Sequence, residues 1–513
     1  MFKHKNPILE KGNARVKRLA KQEIRLQYSG LIIFAAKLLS VATGMIFTLL
    51  ITRNTTREEY GIWSNVFDLL AYFMLLSGAL PFWTTRFVAR GKEGATKTGL
   101  LANLILALIS VAIYLPLVPL LTGALATSGY ILLYFVASAQ MINLYAINVL
   151  ESCLRSVKPH AVGYGLLIEE VIKVSLAYLL IVRLQLGLLG AMIALVIAVS
   201  IQIVYYVKLT WADLGQRIQW NYVREWLKGS IANIYYVIGN QIAAFIFIWL
   251  FSLGSPEARG NYQAAATIAN IVAYSSFLAF ALYPKLLAKD SLEDVTASLK
   301  MVLMFAVPMA AGAMAISESF LIILDAPYGE AAPILFLLAL DALVLTISQF
   351  YTFVFLGVEK LDEEAKIPLA QLVRSHIFKV FTLPYIHALI TLPTTFYVLT
   401  AFAAGQPVQA AIYVTVINMT ARIAMFAVLY MIMRKSVRII VPWRSVGKYV
   451  FASVVMGSVL YLLPHPTRIF LTLATAAAGG LVYMALLLAI DEEARALAVS
   501  VLQEVRSRFR YRA

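Results

Sequence analysis

The stretch "LIIFAAKLLSVATGMIFTLLIT", Leu31 to Thr52, decides the class of fold. It is a continuous apolar run, and a helix of about 20 such residues is long enough to cross a bilayer. Lys37 lies inside it. A charged side chain at membrane depth costs about 2.5–3.5 kcal/mol on insertion scales, so it is retained where it meets a partner. We therefore expect Lys37 to contact something negative within the membrane.

The composition is that of an integral membrane protein. Of the 513 residues, 61% are hydrophobic and 14% are charged, and the mean hydropathy is +0.80. Soluble domains are about half apolar and about a quarter charged. The net charge is +16, but the basic residues are spread between apolar segments, as in membrane topology signals, and do not form a nucleic-acid-binding patch. The single Cys153 excludes an internal disulfide and a cysteine-based zinc site. We expect no cofactor, no metal and no nucleic-acid partner.

Hydropathy over windows of roughly 20 residues predicts an all-α polytopic membrane protein with about fourteen transmembrane helices. Lysine and arginine concentrate in alternate loops, which predicts a cell-membrane protein with both termini in the cytoplasm. The predicted segments are a basic amphipathic arm (1–27), an N-terminal lobe of six spans (28–209), a cytoplasmic linker (210–228), a C-terminal lobe of six spans (229–435), two further spans (436–490) and a basic cytoplasmic tail (491–513).

Three motifs resemble a known superfamily. The passage "ITRNTTREEYGIWSNVFDLL" (51–70) has an arginine followed by "EYG". The second motif runs from the second span into a basic loop, "LLSGALPFWTTRFVARGKEGATK" (75–97). The third motif ends in LG-x-x-K, "FVFLGVEK" (353–360). Together with the span layout they resemble the multidrug/oligosaccharidyl-lipid/polysaccharide (MOP) exporter superfamily, most closely its polysaccharide-biosynthesis (Wzx-like) flippases. The resemblance implies two MATE-like lobes that alternate between inward-open and outward-open states. It also implies movement of a lipid-linked oligosaccharide from the inner to the outer leaflet.

Polar and basic side chains within or beside the spans are the candidate substrate contacts. Amides and a phenol at helical spacing suit sugar hydroxyls, which need donors and acceptors in many directions; the alternative is that they join helices. The planar fork of arginine suits a lipid phosphate, and the resemblance implies that role for Arg86, for which a topology anchor is the alternative. The candidates are Lys37, Arg53, Arg86, Asn240, Gln263, Asn270, Tyr274, Lys379 and Arg422.

Two carboxylates are the candidate coupling groups for a proton or a sodium ion. Asp68 in the second span is interpreted as the one lone carboxylate of the N-terminal half. Lys379 and Arg422 fall at similar depth, and Asp341 in the tenth span lies about one turn outward of them. These three residues form either a site with surplus positive charge or a buried ion pair.

The sign of the buried charge separates the substrate classes. Relatives that export cations need an acid in the N-terminal half, whereas the first span here carries Lys37. Glu169 and Glu170 lie within one turn of Lys173, and we interpret these three residues as a self-neutralising cluster. This favours a flippase for an anionic lipid-linked glycan, carried on a polyprenyl phosphate or pyrophosphate. We also expect the protein to be a monomer surrounded by membrane lipid. A cation or drug antiporter of the same fold is the main alternative. The short loops and scattered histidines disfavour an enzyme such as a membrane-embedded glycosyltransferase or polymerase, and a channel-like or structural protein stays open.

Overall fold

The computed structural model describes residues 39–279, 292–358, 376–436, 441–496 and 499. Within these ranges the regular elements are all helices. The first ones are α1 (Leu39–Thr52), α2 (Arg57–Phe73), α3 (Ala79–Ala89), α4 (Ala95–Ala124), α5 (Ile131–Val157), α6 (Pro159–Ala177), α7 (Gly187–Leu214), α8 (Trp220–Gly229) and α9 (Ile231–Ala243). They are followed by α10 (Ile246–Trp249), α11 (Pro256–Ala273), α12 (Leu292–Ala315), α13 (Ser317–Leu324), α14 (Ala332–Val358), α15 (His376–Phe402), α16 (Pro407–Ser436), α17 (Trp443–Leu462) and α18 (Ile469–Ile490).

Ten helical segments of the described chain are long and apolar enough to cross a membrane, and α1 is a shorter apolar helix. Helices form here because backbone at membrane depth must satisfy its own hydrogen bonds, which an α-helix does within one segment. The predicted all-α polytopic membrane fold is confirmed. The total of about fourteen spans stays a prediction, since part of the chain lies outside the described ranges.

The predicted second span is two helices with a break between them. α2 ends at Phe73 and α3 begins at Ala79. Pro81 has no N–H to donate to the carbonyl of Ser77, four residues earlier, so a regular helix loses a bond there. The side chain of Asn103 on α4 donates to that carbonyl at 3.2 Å and to the carbonyl of Tyr145 at 2.6 Å. The break is therefore held by a neighbouring helix.

The chain divides into two compact units. The first takes in the described residues up to Thr55 and Leu69–Ile234, and the second takes in Thr56–Asp68 and the described residues from Tyr235 onward. The division falls inside α2, whose first part packs with the second unit. The boundaries proposed from the sequence for the lobes, the linker and the tails stay predictions.

Each unit has its own packed interior. In the first unit α5 packs on α3, α4 and α7, with Tyr134, Met141 and Tyr145 fully buried. In the second unit α14 packs on α11 and α16, and α17 and α18 cover α12. The hydroxyl of Tyr483 on α18 donates to the carbonyl of Met304 on α12 at 2.7 Å, which fixes the last helix to the rest of that unit.

Candidate functional site

The second unit contains a cavity of about 280 Å³ lined by α9, α10, α14, α15 and α16. Residues four apart lie on one face of a helix, so each helix contributes a short row of side chains. The lining combines amides, hydroxyls, aromatic rings, an imidazole and one guanidinium: Asn240 and Asn418, Ser348 and Thr352, Tyr236, Phe247 and Phe426, His387, and Arg422. It is therefore suited to a ligand that has both polar and apolar faces.

A proline interrupts the regular hydrogen bonding of one helix that lines this cavity. Pro384 lies inside α15 and lines the cavity together with Val380. Since proline has no N–H, it cannot donate to the Val380 carbonyl four residues earlier. The helix therefore lacks one regular backbone hydrogen bond where it lines the cavity.

Arg422 is the charged group among the described residues that line the cavity, and its ion pair uses only one of its nitrogen atoms. Its Nε donates to Oδ1 of Asp341 on α14 at 2.8 Å. Asp341 is buried and does not line the cavity, whereas the Arg422 side chain is 26% exposed. Among the described residues Asp341 is the one recorded hydrogen-bond partner of Arg422, so the two terminal amino groups keep donors for a ligand. The sequence left open whether these residues form an ion pair or a site with surplus charge. The structure shows the ion pair.

Asp68 is also paired, and its interpretation as a lone carboxylate is wrong. Nε and Nη2 of Arg259 donate to its two carboxylate oxygens at 2.7 and 2.9 Å. Arg259 lies in the first turn of α11 and is 4% exposed. Its Nη1 donates to the side-chain oxygen of Gln263 at 2.9 Å, so this candidate sugar contact is also engaged.

The fold has counterparts among solved structures. No protein-family model matches the chain, and no curated protein matches it. A MATE family multidrug resistance transporter of the MOP superfamily, in an inward-facing conformation, aligns with a TM-score of 0.58 and 14% identity over 78% of this chain and 96% of that one. The chain has the fold of that transporter. The lipid II flippase MurJ, in an inward closed conformation, aligns with a TM-score of 0.60 and 14% identity over 89% of this chain and 98% of that one. The predicted fold is thus confirmed, and the Wzx-like branch stays a prediction.

The other candidate residues are dispersed over the described chain. Asn240 lines the cavity and also donates to the Tyr236 carbonyl at 2.9 Å, which leaves its side-chain oxygen for a ligand. The structure places the remaining ones elsewhere: Asn270, Tyr274, Lys379 and Arg53 are exposed and do not line the cavity. The grouping of Lys379 with Arg422 and Asp341 is therefore wrong, because only the last two are in contact.

Arg86 lies half-buried on α3 in the first unit. Its guanidinium is stacked over Phe82, 4.3 Å from the ring centroid, and lies 5.2 Å from the ring centroid of Trp83. A guanidinium over aromatic faces is a favourable cation–π arrangement, so Phe82 and Trp83 fix the position of Arg86 on α3.

Lys37 lies outside the described residues. The cluster on α6, which the sequence predicted to be self-neutralising, is confirmed: Lys173 is 3.0 Å from a carboxylate oxygen of Glu169 and 2.8 Å from one of Glu170. The hydroxyls of Ser40 and Thr43 on α1 donate to the two oxygens of Glu170. The sequence did not predict this link between α1 and α6.

Proposed function

We propose that this chain moves an anionic lipid-linked oligosaccharide, carried on a polyprenyl phosphate or pyrophosphate, from the inner to the outer leaflet by alternating access. The observation that carries the proposal is the lining of the cavity in the second unit. It contains a guanidinium and two amides, and none of the described residues that line it is acidic. Among these described lining residues a cationic drug would meet no opposite charge, whereas an anion would meet the guanidinium and a sugar would meet the amides.

The chemistry of the lining fits a glycan. Amides and hydroxyls pair with sugar hydroxyls, aromatic rings cover apolar sugar faces, and the two terminal amino groups of Arg422 suit a phosphate or an acidic sugar. The volume of about 280 Å³ lies near the lower end of small-molecule sites, which run from about 300 to 1,000 Å³. This cavity would therefore hold part of the glycan. Lys37 and Arg86 remain the proposed contacts for the lipid phosphate.

Ion coupling is proposed to act through the paired carboxylates. Protonation of Asp341 would release Arg422 toward the substrate anion, because the ion pair needs a charged carboxylate. Asp68 and Arg259 are the corresponding pair on α2 and α11. A proton or a sodium ion stays open as the coupling ion. A monomer in the cell membrane with both termini in the cytoplasm completes the proposal.

The test is flipping of a fluorescent lipid-linked oligosaccharide in proteoliposomes, read out by its accessibility to an enzyme added outside. We expect Arg422→Ala to lower the rate at least tenfold and Arg422→Lys to retain part of it, because lysine keeps the charge but loses the fork. Arg434→Ala is the matched control, since Arg434 is an exposed arginine on the same helix that does not line the cavity. Wild-type flipping by Arg422→Ala would contradict the proposal.

A cation or drug antiporter is the second candidate, because a structure with the same fold is that of a multidrug transporter. The same vesicles separate the two functions. They are loaded with a cationic dye, and a proton or sodium gradient is then imposed. We expect dye movement equal to that of protein-free vesicles. Gradient-driven dye movement that disappears in Arg422→Ala would favour the antiporter instead.

A further inference from the structure

Helix α8 is fixed to the first unit by one of its faces. Trp226 is fully buried and meets Phe87 of α3 edge-on, with ring centroids 5.4 Å apart. Tyr222, one turn earlier, contacts the same Phe87 ring, with ring centroids 5.0 Å apart. The backbone N–H of Gln219, just before the helix, donates to the hydroxyl of Thr98 on α4 at 2.9 Å. This segment is therefore a docked element and not a free linker.

The opposite face of α8 carries a row of exposed aromatic, basic and aliphatic side chains. Trp220, Arg224 and Leu227 follow at spacings of four and three, so they share one side of the helix, and Lys228 lies next to Leu227. Trp220 is 52% exposed, and the basic side chains are exposed as well. Trp211, near the end of the apolar helix α7, is 70% exposed. Tryptophan at the end of a membrane span is typical of the interface between headgroups and hydrocarbon.

The surface around this row is rich in positive charge. The loop between α3 and α4 carries the exposed Arg90 and Lys92, and it touches the linker, because a Cβ on Gly94 would meet the carbonyl oxygen of Arg217. Glu93 and Glu225 are the exposed acids of these two segments. Within the described chain none of these basic residues has a recorded ion pair: Arg90, Lys92, Arg217, Arg224 and Lys228. Their charge is therefore left for an external anion.

We infer that this surface, formed by Trp220, Arg224, Leu227 and Lys228 of α8 with the adjoining loop cations Arg90, Lys92 and Arg217, binds the anionic headgroups of membrane lipids. An amphipathic helix with tryptophan and aliphatic side chains among cations lies in the plane of the interface and is attracted to anionic lipid. Docking on α3 and α4 sets the orientation of the row before any lipid arrives. The inference goes beyond the proposed function, since it concerns bulk lipid and not the transported molecule.

The first test measures thermal stability in nanodiscs. The full chain is compared in phosphatidylcholine alone and in an equimolar mixture with phosphatidylglycerol. We expect the wild-type Tm to rise in the anionic mixture and the rise to shrink at high salt. Arg224→Gln/Lys228→Gln should lose more than half of that rise, and Arg224→Lys/Lys228→Arg should keep it. Equal Tm values in phosphatidylcholine show that the variants fold.

The matched control removes two exposed arginines elsewhere, Arg183→Gln/Arg468→Gln. It should keep the full rise. A full rise in Arg224→Gln/Lys228→Gln, or an equal loss in the control, overturns the inference. A full rise in Arg224→Gln/Lys228→Gln would mean that α8 is solvated and does not contact lipid headgroups. An equal loss in the control would mean that the Tm responds to the net charge of the protein alone.

The second test locates the helix. A nitroxide attached at Asn221→Cys, an exposed position of α8, reports its collisions with oxygen, which partitions into lipid, and with a water-soluble nickel chelate. Cys153 is buried and should not react with the label. We expect the chelate to collide with the nitroxide markedly less often in the anionic mixture than when the same labelled protein is unfolded in urea without detergent. Full aqueous accessibility in the anionic vesicles overturns the inference, whatever the transport assay shows.

Discussion

Asp68 and Arg259 form a two-bond ion pair whose side chains are 15% and 5% exposed. Removing one partner of such a pair leaves the other charge buried without compensation, which costs about 3–5 kcal/mol. We therefore expect Asp68→Asn to lower the Tm of the purified protein strongly. The double variant Asp68→Asn/Arg259→Gln should recover much of the loss, because neither charge is then left alone.

The control for this prediction is Glu58→Gln, which neutralises an exposed acid on the same helix. Its Tm should equal that of the wild type. If Asp68→Asn were as stable as this control, the pair would contribute little and α2 would be held to α11 by other contacts.

The sequence contained part of the signal for Arg259 but could not identify its partner. Ser255, Pro256 and Glu257 are typical of a helix start, and the Ser255 hydroxyl does accept the N–H of Ala258 at 3.1 Å. That signal places Arg259 in the first turn of a helix and not in the loop before it. Its pairing with Asp68 depends on the crossing of two distant helices, which periodicity does not encode.

Glycines set the distance between α2 and α11. A Cβ on Gly61 would meet the carbonyl oxygen of Pro256, and one on Gly260 would meet the carbonyl oxygen of Arg57. Because backbone atoms cannot turn aside as side chains do, we expect Gly61→Ala and Gly260→Ala each to force the helices apart and lower the Tm. Such close crossings at small residues are a main source of helix association in membranes.

Gly44→Ala on α1 is the matched control, since nothing lies within 4 Å of the added methyl group. Alanine is favoured over glycine inside a helix by about 1 kcal/mol, so this variant should be as stable as the wild type or slightly more so. A Gly61→Ala protein that behaves like Gly44→Ala would show that the two helices do not require this close approach.

At the scale of elements, hydropathy located the long helices but not the short ones. The segment 210–228 was predicted to be a linker, yet α8 begins at Trp220 within it. A short helix that buries Trp226 and exposes cations on its other side has no apolar peak, so a window of roughly 20 residues averages it away. The side-chain spacing of Tyr222 and Trp226 was the available signal.

At the scale of the molecule, the fold could be predicted and the cavity could not. Apolar runs and alternating loop charge are local properties, and they were sufficient to predict an all-α polytopic membrane protein. The more specific fold, now seen in structures only 14% identical to this chain, was implied by the resemblance of three motifs to a known superfamily. The cavity needs α9, α14, α15 and α16 together, and it selects Asn240 and Arg422 while excluding the equally polar Asn270. Tertiary packing decides which rows of polar side chains line the same cavity.

The proposed function requires the membrane potential to act on the transported anion. Moving one elementary charge across a membrane changes its energy by about 2.3 kcal/mol per 100 mV, so an inside-negative potential favours outward movement of a lipid phosphate. We expect flipping in proteoliposomes to speed up when potassium and valinomycin impose an inside-negative potential, and to slow down when the sign is reversed. A pyrophosphate carrier should respond more steeply than a monophosphate carrier because it bears more charge. Vesicles with Arg422→Ala provide the background rate.

Flipping that does not respond to the potential but follows a proton or sodium gradient would show that coupled ions balance the moving charge. The variants Asp68→Asn and Asp341→Asn, measured separately, would then identify the carboxylate that binds the coupled ion.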